Sequence, residues 1–235
     1  MTVGVSPETH LPQWTPAARA AAYAWDLDVD NAAGNQCRAY GAAAIMRLPT
    51  RIRISWADDN TLKVETDAGQ QTRLFSFVTP RPGPITPTLV DFPPFQGERT
   101  WQGQSRAQWF KQPQARGLGG GGGPQPGGAL RVVTRNMKPG YLRKNGVPVS
   151  GDAVVTEQFN RHDEPNGDAW ITVTTIVEDP ANLNAPFIVS FSFKKETDPS
   201  KWAPSACQTA APLEKAIPLP VVRPAPAAVA AAAPR

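Results

Sequence analysis

Three groups able to do acid, base or ion-pair chemistry fall close together in "VVTEQFNRHDEPNGDAW", Val154 to Trp170: Glu157, Arg161 and His162. A carboxylate whose pKa is tuned by burial or by a nearby cation, set beside an imidazole, is a usable acid/base pair. Glu157 and His162 are therefore the candidate catalytic residues. The competing reading is structural. In a strand, alternate side chains share a face, so Val155, Glu157, Phe159 and Arg161 point one way and Thr156 and Gln158 the other. Glu157 then faces an apolar core and needs a cationic partner, Arg161 or Arg143, because an unpaired buried carboxylate is costly. His162 sits where the strand yields to the polar turn "HDEPNGD" and reads equally as a solvated loop histidine.

Other chemistries are thinly supplied. A Ser/His/Asp system would have to combine Ser105, His162 and Asp163, yet "GQSRA" has Ala107 where a nucleophile elbow needs glycine. His10 and His162 are the only histidines and no C-x-x-C occurs, so no metal site is expected. The run "GLGGGGGPQPGG" is followed by neither G-K-[ST] nor a helix, and no cofactor is expected. Lys and Arg number 24 against 20 Asp and Glu and are scattered, without a basic run interleaved with aromatics, so nucleic acid is not expected as a partner. Trp101, Trp109, Tyr141 and Trp170, with Arg143 and Arg161, could line a pocket for a small apolar or aromatic ligand. Aromatics of this kind equally serve as core. Cys37 and Cys207 lie near the two ends of the patterned region, either as a disulfide staple or as two buried thiols.

The elements that would position these groups are strands. "WTPAARAAAYAWD" predicts one N-terminal helix, with Thr15 as cap and Pro16 at its first position. From Arg51 the apolar period becomes two: "RIRISW", "TLKVET" and "QTRLFSFV" form a meander separated by "ADDN" and "DAGQ". Further strands follow at "RTWQGQSRAQWF", "ALRVVTRN", "AVVTEQFNR", "AWITVTTIVED" and "PFIVSFSFKKET". An antiparallel meander of about eight strands removes its edges by closing, so an all-β, lipocalin-like barrel with one N-terminal helix is expected. The expected organisation is a flexible N-terminus over 1–13, one barrel domain over 14–208, and a disordered Ala/Pro-rich tail over 209–235. Within the domain, 79–98 is a Pro-rich loop and 111–128 a Gly-rich flexible loop. No apolar run approaches the roughly eighteen residues of a transmembrane helix. "MTVGVSPETHLPQW" has neither a basic start nor an apolar middle, which reads as a cytoplasmic chain or as an exported chain without its leader. Nothing in the sequence signals an oligomeric state.

Four stretches together, "CRAYGAAAIMRLPTRI", "WQGQSRAQW", "MKPGYLRKNGVPVSGDAVVTEQFNRHDE" and "WITVTTIVEDPANLNAPF", resemble a family of uncharacterised, usually exported bacterial proteins. Its pattern is a W-x-G-x-S-x-G-x-W strand, a G-x-x-R-x-N-G turn, a T-E-x-F-x-R strand and an E-D-P turn, over roughly residues 12 to 208 of this chain. Two departures stand out. The glycine-rich insertion follows Trp109 and Phe110 where the family strand runs on, and Gln104 stands where some members have histidine. The resemblance implies a periplasmic or secreted location and an oxidised cysteine pair. It brings no activity.

Two functions follow. One is a small-molecule-binding barrel with an apolar, aromatic pocket. The other is an exported lyase, isomerase or hydrolase using Glu157 and His162. Because loop-closure entropy changes slowly with length, deleting residues 117–128 is expected to leave the melting temperature nearly unchanged. A large fall in thermal denaturation would show that the tract is packed.

Overall fold

The computed structural model describes residues 14–77, 95, 97–110 and 129–209. The expectations for 1–13, for most of the Pro-rich loop, for the Gly-rich loop and for the tail beyond 209 lie outside the described residues.

The N-terminal region forms two helices, not the single one expected. Helix α1 spans Pro16–Tyr23, and the Thr15 hydroxyl accepts from the Ala18 amide at 3.2 Å. The chain then stops and restarts. Asp26 caps a second helix, α2 (Leu27–Ala32), by accepting from the Asp28 and Val29 amides at 2.8 and 3.0 Å. The polar run "DLDVDN" has no apolar stripe to announce a helix; the cap creates it by satisfying amides that a short helix leaves bare.

Ten strands follow: β1 (Ile52–Asp58), β2 (Thr61–Thr66), β3 (Thr72–Phe77), β4 (Gln104–Phe110), β5 (Ala129–Arg135), β6 (Gly140–Arg143), β7 (Val147–Val149), β8 (Val154–Asp163), β9 (Ala169–Glu178) and β10 (Phe187–Lys194). Eight of them form one curled sheet, ordered β1-β2-β3-β4-β5-β8-β9-β10; β6 and β7 pair separately. Its register keeps one inner face throughout. Ile54 opposes Val64, Leu62 opposes Phe75, Ala107 opposes Val132, Leu130 opposes Phe159, and Phe159 opposes Val173. These are the residues that the period-two pattern assigns to the core.

Two features depart from a simple closed meander. First, β3 and β4 run parallel, Phe75 opposite Ser105 and Phe77 opposite Ala107. The 78–103 connection is long enough to bring the chain back to the same end before β4 starts, as a parallel pair requires. Second, among the described residues no ladder joins β1 to β10, so the sheet is a half-barrel with a seam. The chain beyond β10 crosses that seam. Trp202 lies under the Arg53 guanidinium of β1 at 4.3 Å, and the Ser205 amide donates to the Asp67 carbonyl at 2.9 Å. Cys207 is disulfide-bonded to Cys37, with Cα atoms 5.1 Å apart. The strap thus spans the gap that no strand ladder closes, and the disulfide ties its end to the N-terminal segment.

The other end of the half-barrel is filled. Tyr40, Ile45 and Met46 insert among Leu62, Val64, Phe75 and Val132. Below them Ala42, Ala43 and the β6–β7 hairpin residues Leu142, Val147 and Val149 pack on Val155, Val177 and Phe187. The hairpin turn needs glycine at 146. Its φ is +77°, and a Cβ there would collide with the Trp25 ring.

The disulfide closes a loop spanning a sequence separation of 170. In the chain-entropy account such a loop stabilises by about 5 kcal/mol at most. Cys207→Ser, or reduction, is expected to lower the melting temperature strongly and to expose the 195–208 strap to protease. An unchanged melting curve under reducing conditions would contradict this.

Candidate functional site

Glu157 is completely buried on the inner face of β8, as strand parity predicts, with Gln158 exposed on the opposite face. Its partner is neither Arg161 nor Arg143. It is Arg73 of β3, itself 1 % exposed. The contact is bidentate: Nη1 donates to Oε1 at 2.9 Å and Nη2 to Oε2 at 2.6 Å. Nη2 also donates to the Thr134 hydroxyl at 3.2 Å, and Thr134 shares a hydrogen bond with the Ser105 hydroxyl at 2.8 Å. The forked geometry satisfies both carboxylate oxygens, which a buried pair needs if attraction is to offset desolvation. Arg161 could not serve. It stands one turn of the pleat beyond Phe159 at the exposed end of β8, and bonds Asp163 at 3.0 and 3.3 Å. Arg143 lies at the filled end, over Trp14 and Phe187 at 5.8 and 5.9 Å.

His162 has opposite parity to Glu157 and so leaves the other face of β8. It is about half exposed, and its Nε2 lies 3.8 Å from Glu164. Ser105 is buried in the wall beside Thr134. The structure therefore brings Glu157 to neither His162 nor a solvent-facing nucleophile. No group of three or more metal-ligating side chains occurs among the described residues.

The predicted ligand-binding residues divide between the two ends. Tyr141 belongs to the filled end, where its hydroxyl donates to Asp30 at 3.0 Å and Arg38 donates to it at 3.1 Å. Burial and the Asp30 bond raise the Tyr141 pKa. Trp101 is there too; its carbonyl accepts from the Ala42 amide at 3.0 Å. Trp109, Arg161 and Trp170 lie at the open end and line cavities.

One of these is a cavity of about 220 Å³ on the concave face, walled by Trp56, Leu62, Phe75, Trp109, Leu130 and Phe159, with Arg161 as its one charged lining residue among the described residues. Phe77 stands between Trp56 and Trp109, its ring 5.4 and 5.7 Å from theirs, so three aromatics line up along the rim. Trp56 and Trp109 each keep 38 % of their surface exposed. Neither Arg73 nor Glu157 lines this space; Phe75, 4.9 Å from the Arg73 guanidinium carbon, does. Ile54, Arg161 and Ile171 also line a larger cleft of about 640 Å³ at the β1–β10 seam, so the two spaces are contiguous.

The sequence named three of these residues and missed Arg73. The signal was present: Arg73 shares parity with Phe75 and Phe77 on β3, and so had to point inward with them. Trp56 was legible likewise, in phase with Ile52 and Ile54. Compared with known proteins, the chain matches no family model, no curated protein and no solved structure.

Breaking a buried ion pair by removing one partner typically costs 3–5 kcal/mol, whereas replacing both by apolar groups is often neutral. Glu157→Gln and Arg73→Met are each expected to destabilise by about that much in urea unfolding, and Arg73→Met/Glu157→Leu to recover most of the loss. Equal, additive losses in a double-mutant cycle would show that the two residues do not act as a pair.

Proposed function

We propose that this protein is a binding cup for a small apolar or aromatic ligand, acting in the periplasm or outside the cell. The observation that carries the reading is the aromatic-rimmed apolar cavity, left unfilled by the described residues at one end of a half-barrel whose other end is packed shut. A soluble fold gains by filling apolar space, so an apolar hollow with exposed tryptophans at its lip is best explained by an occupant. In this reading the curled sheet and its strap act together as a lipocalin-like barrel, the strap standing in for the missing ladder. The Cys37–Cys207 bond supports the exported location, since disulfides persist in oxidising compartments. The resemblance to exported bacterial proteins agrees with it. No helix among the described residues is long and apolar enough to cross a membrane. The alternative of a lyase, isomerase or hydrolase built on Glu157 and His162 gains nothing from the geometry: the carboxylate is committed to Arg73 and the imidazole lies on the opposite face.

Native mass spectrometry of the protein purified under mild conditions should show added mass from a co-purified apolar compound. The neutral probe N-phenyl-1-naphthylamine should gain fluorescence on binding. Trp109→Ala is expected to weaken that binding about tenfold, the equivalent of about 1.4 kcal/mol. Leu74→Ala, on the convex face and 51 % exposed, should not weaken it. No enhancement with the native protein, or equal loss in both variants, would reject the cup as the binding site.

A further inference from the structure

The seam cleft beside the apolar cavity differs from it in chemistry. Among the described residues, five cationic ones line it, Arg51, Arg53, Arg161, Lys194 and Lys195, against two carboxylates, Glu196 and Asp198. Both carboxylates are already engaged. Glu196 accepts from Lys201 at 2.6 Å, which with backbone bonds holds its pKa well below the usual carboxylate range. Asp198 accepts from the Ser200 amide and hydroxyl at 2.9 and 2.6 Å. Among the cations, Arg51 is tied to buried Asp67 at 3.3 Å and Lys194 to Asp168 at 2.8 Å. Arg53 and Lys195 make no ion pair among the described residues; Arg53 is held in place by the Trp202 ring. Among the described residues Arg161 pairs only with Asp163, both being largely exposed, an interaction of the weak surface kind that a ligand can displace. Positive charge therefore collects at the point where the apolar cavity opens into the seam.

Building on the cup reading, we propose that the ligand is an anionic amphiphile: its chain or ring occupies the apolar cavity and its acidic head lies in the seam on Arg161, Arg53 and Lys195. Arg161 lines both spaces and so stands at the junction of tail and head. A planar guanidinium can take a carboxylate through two hydrogen bonds. Arg53 faces the head from edge strand β1 and Lys195 from the first residue after edge strand β10, so the ligand would also bridge the seam. An acyl chain with a terminal carboxylate meets these demands, whereas a neutral alcohol of the same length meets only the apolar one.

Isothermal titration with decanoate and with decan-1-ol, in parallel at low salt, separates the possibilities. The expected result is decanoate at least tenfold tighter than decan-1-ol, with the advantage shrinking as salt rises because partly exposed charges are screened. In Arg53→Gln/Lys195→Gln the ratio of the two affinities should fall at least fivefold, and in Arg161→Gln likewise. Both sites are at the surface, so melting curves should confirm that these variants fold. Equal affinities for the two probes would overturn the anionic head while leaving the cup intact. A ratio that survives in both variants would overturn its placement at the seam. Binding of neither probe, together with no naphthylamine signal, would reject the cup and the head together.

Discussion

One buried ion pair sets the shape of this protein. Arg73 and Glu157 stand on β3 and β8, with β4 and β5 between them in the sheet. At the usual spacing of about 4.8 Å per strand, those backbones would be roughly 14 Å apart on a flat sheet, with side chains standing perpendicular to it. Side chains that rise from the inner face make a bidentate contact of 2.6–2.9 Å here because the sheet curls and brings β3 and β8 towards each other across that face. The pair is then a clamp on curvature. Its net contribution to stability is small, since desolvating two charges costs about as much as their attraction returns. Its contribution to specificity is larger: a one-residue slip of β3 or β8 would turn that strand's charge to the convex face and leave the other buried without its partner.

Curvature alone does not make a container. The half-barrel needs one end stopped and its edges joined. The N-terminal segment and the β6–β7 hairpin stop the end, with Ile45, Leu142 and Val147 fully buried. The strap after β10 reaches β1 through a cation–aromatic contact and the β2–β3 turn through one backbone bridge, and a disulfide ties its end to the N-terminal segment. What the described residues leave unfilled is the end where Trp56, Phe77 and Trp109 line the rim and Arg53, Arg161 and Lys195 crowd the seam. The polar clamp and the apolar hollow are thus separate layers of one interior, divided by the Phe75 and Phe159 rings, 5.6 Å apart.

Much of this was legible in the sequence, and the failures are informative. Alternation assigned the inner faces of β1, β2 and β8, including the inward turn of Glu157, because burying one face fixes every side chain on a strand at once. It could not name the partner of Glu157, because parity says which face a residue occupies and not which distant strand lies opposite. Nor can it tell a parallel from an antiparallel neighbour, since the period is the same for both; the pattern alone predicts that β4 continues the meander, whereas it pairs parallel to β3. Trp101, Tyr141 and Arg143 were grouped with Trp109, Arg161 and Trp170 by residue type. Strand order sends the first three to the stopped end, where Tyr141 serves Asp30 and Arg38. Helix α2 was missed because a capping aspartate, not an apolar stripe, defines it.

The central claim, that the concave hollow at the open end is where a ligand sits, can be read residue by residue. Isoleucine methyl groups report on both sides of the sheet: Ile54 and Ile171 line the hollow and the seam, whereas Ile188 is 60 % exposed and lines neither. In methyl-labelled protein titrated with decanoate, the account predicts large, saturable shifts of Ile54 and Ile171 with Ile188 unmoved. Shifts confined to Ile188, with Ile54 and Ile171 silent at saturation, would contradict it.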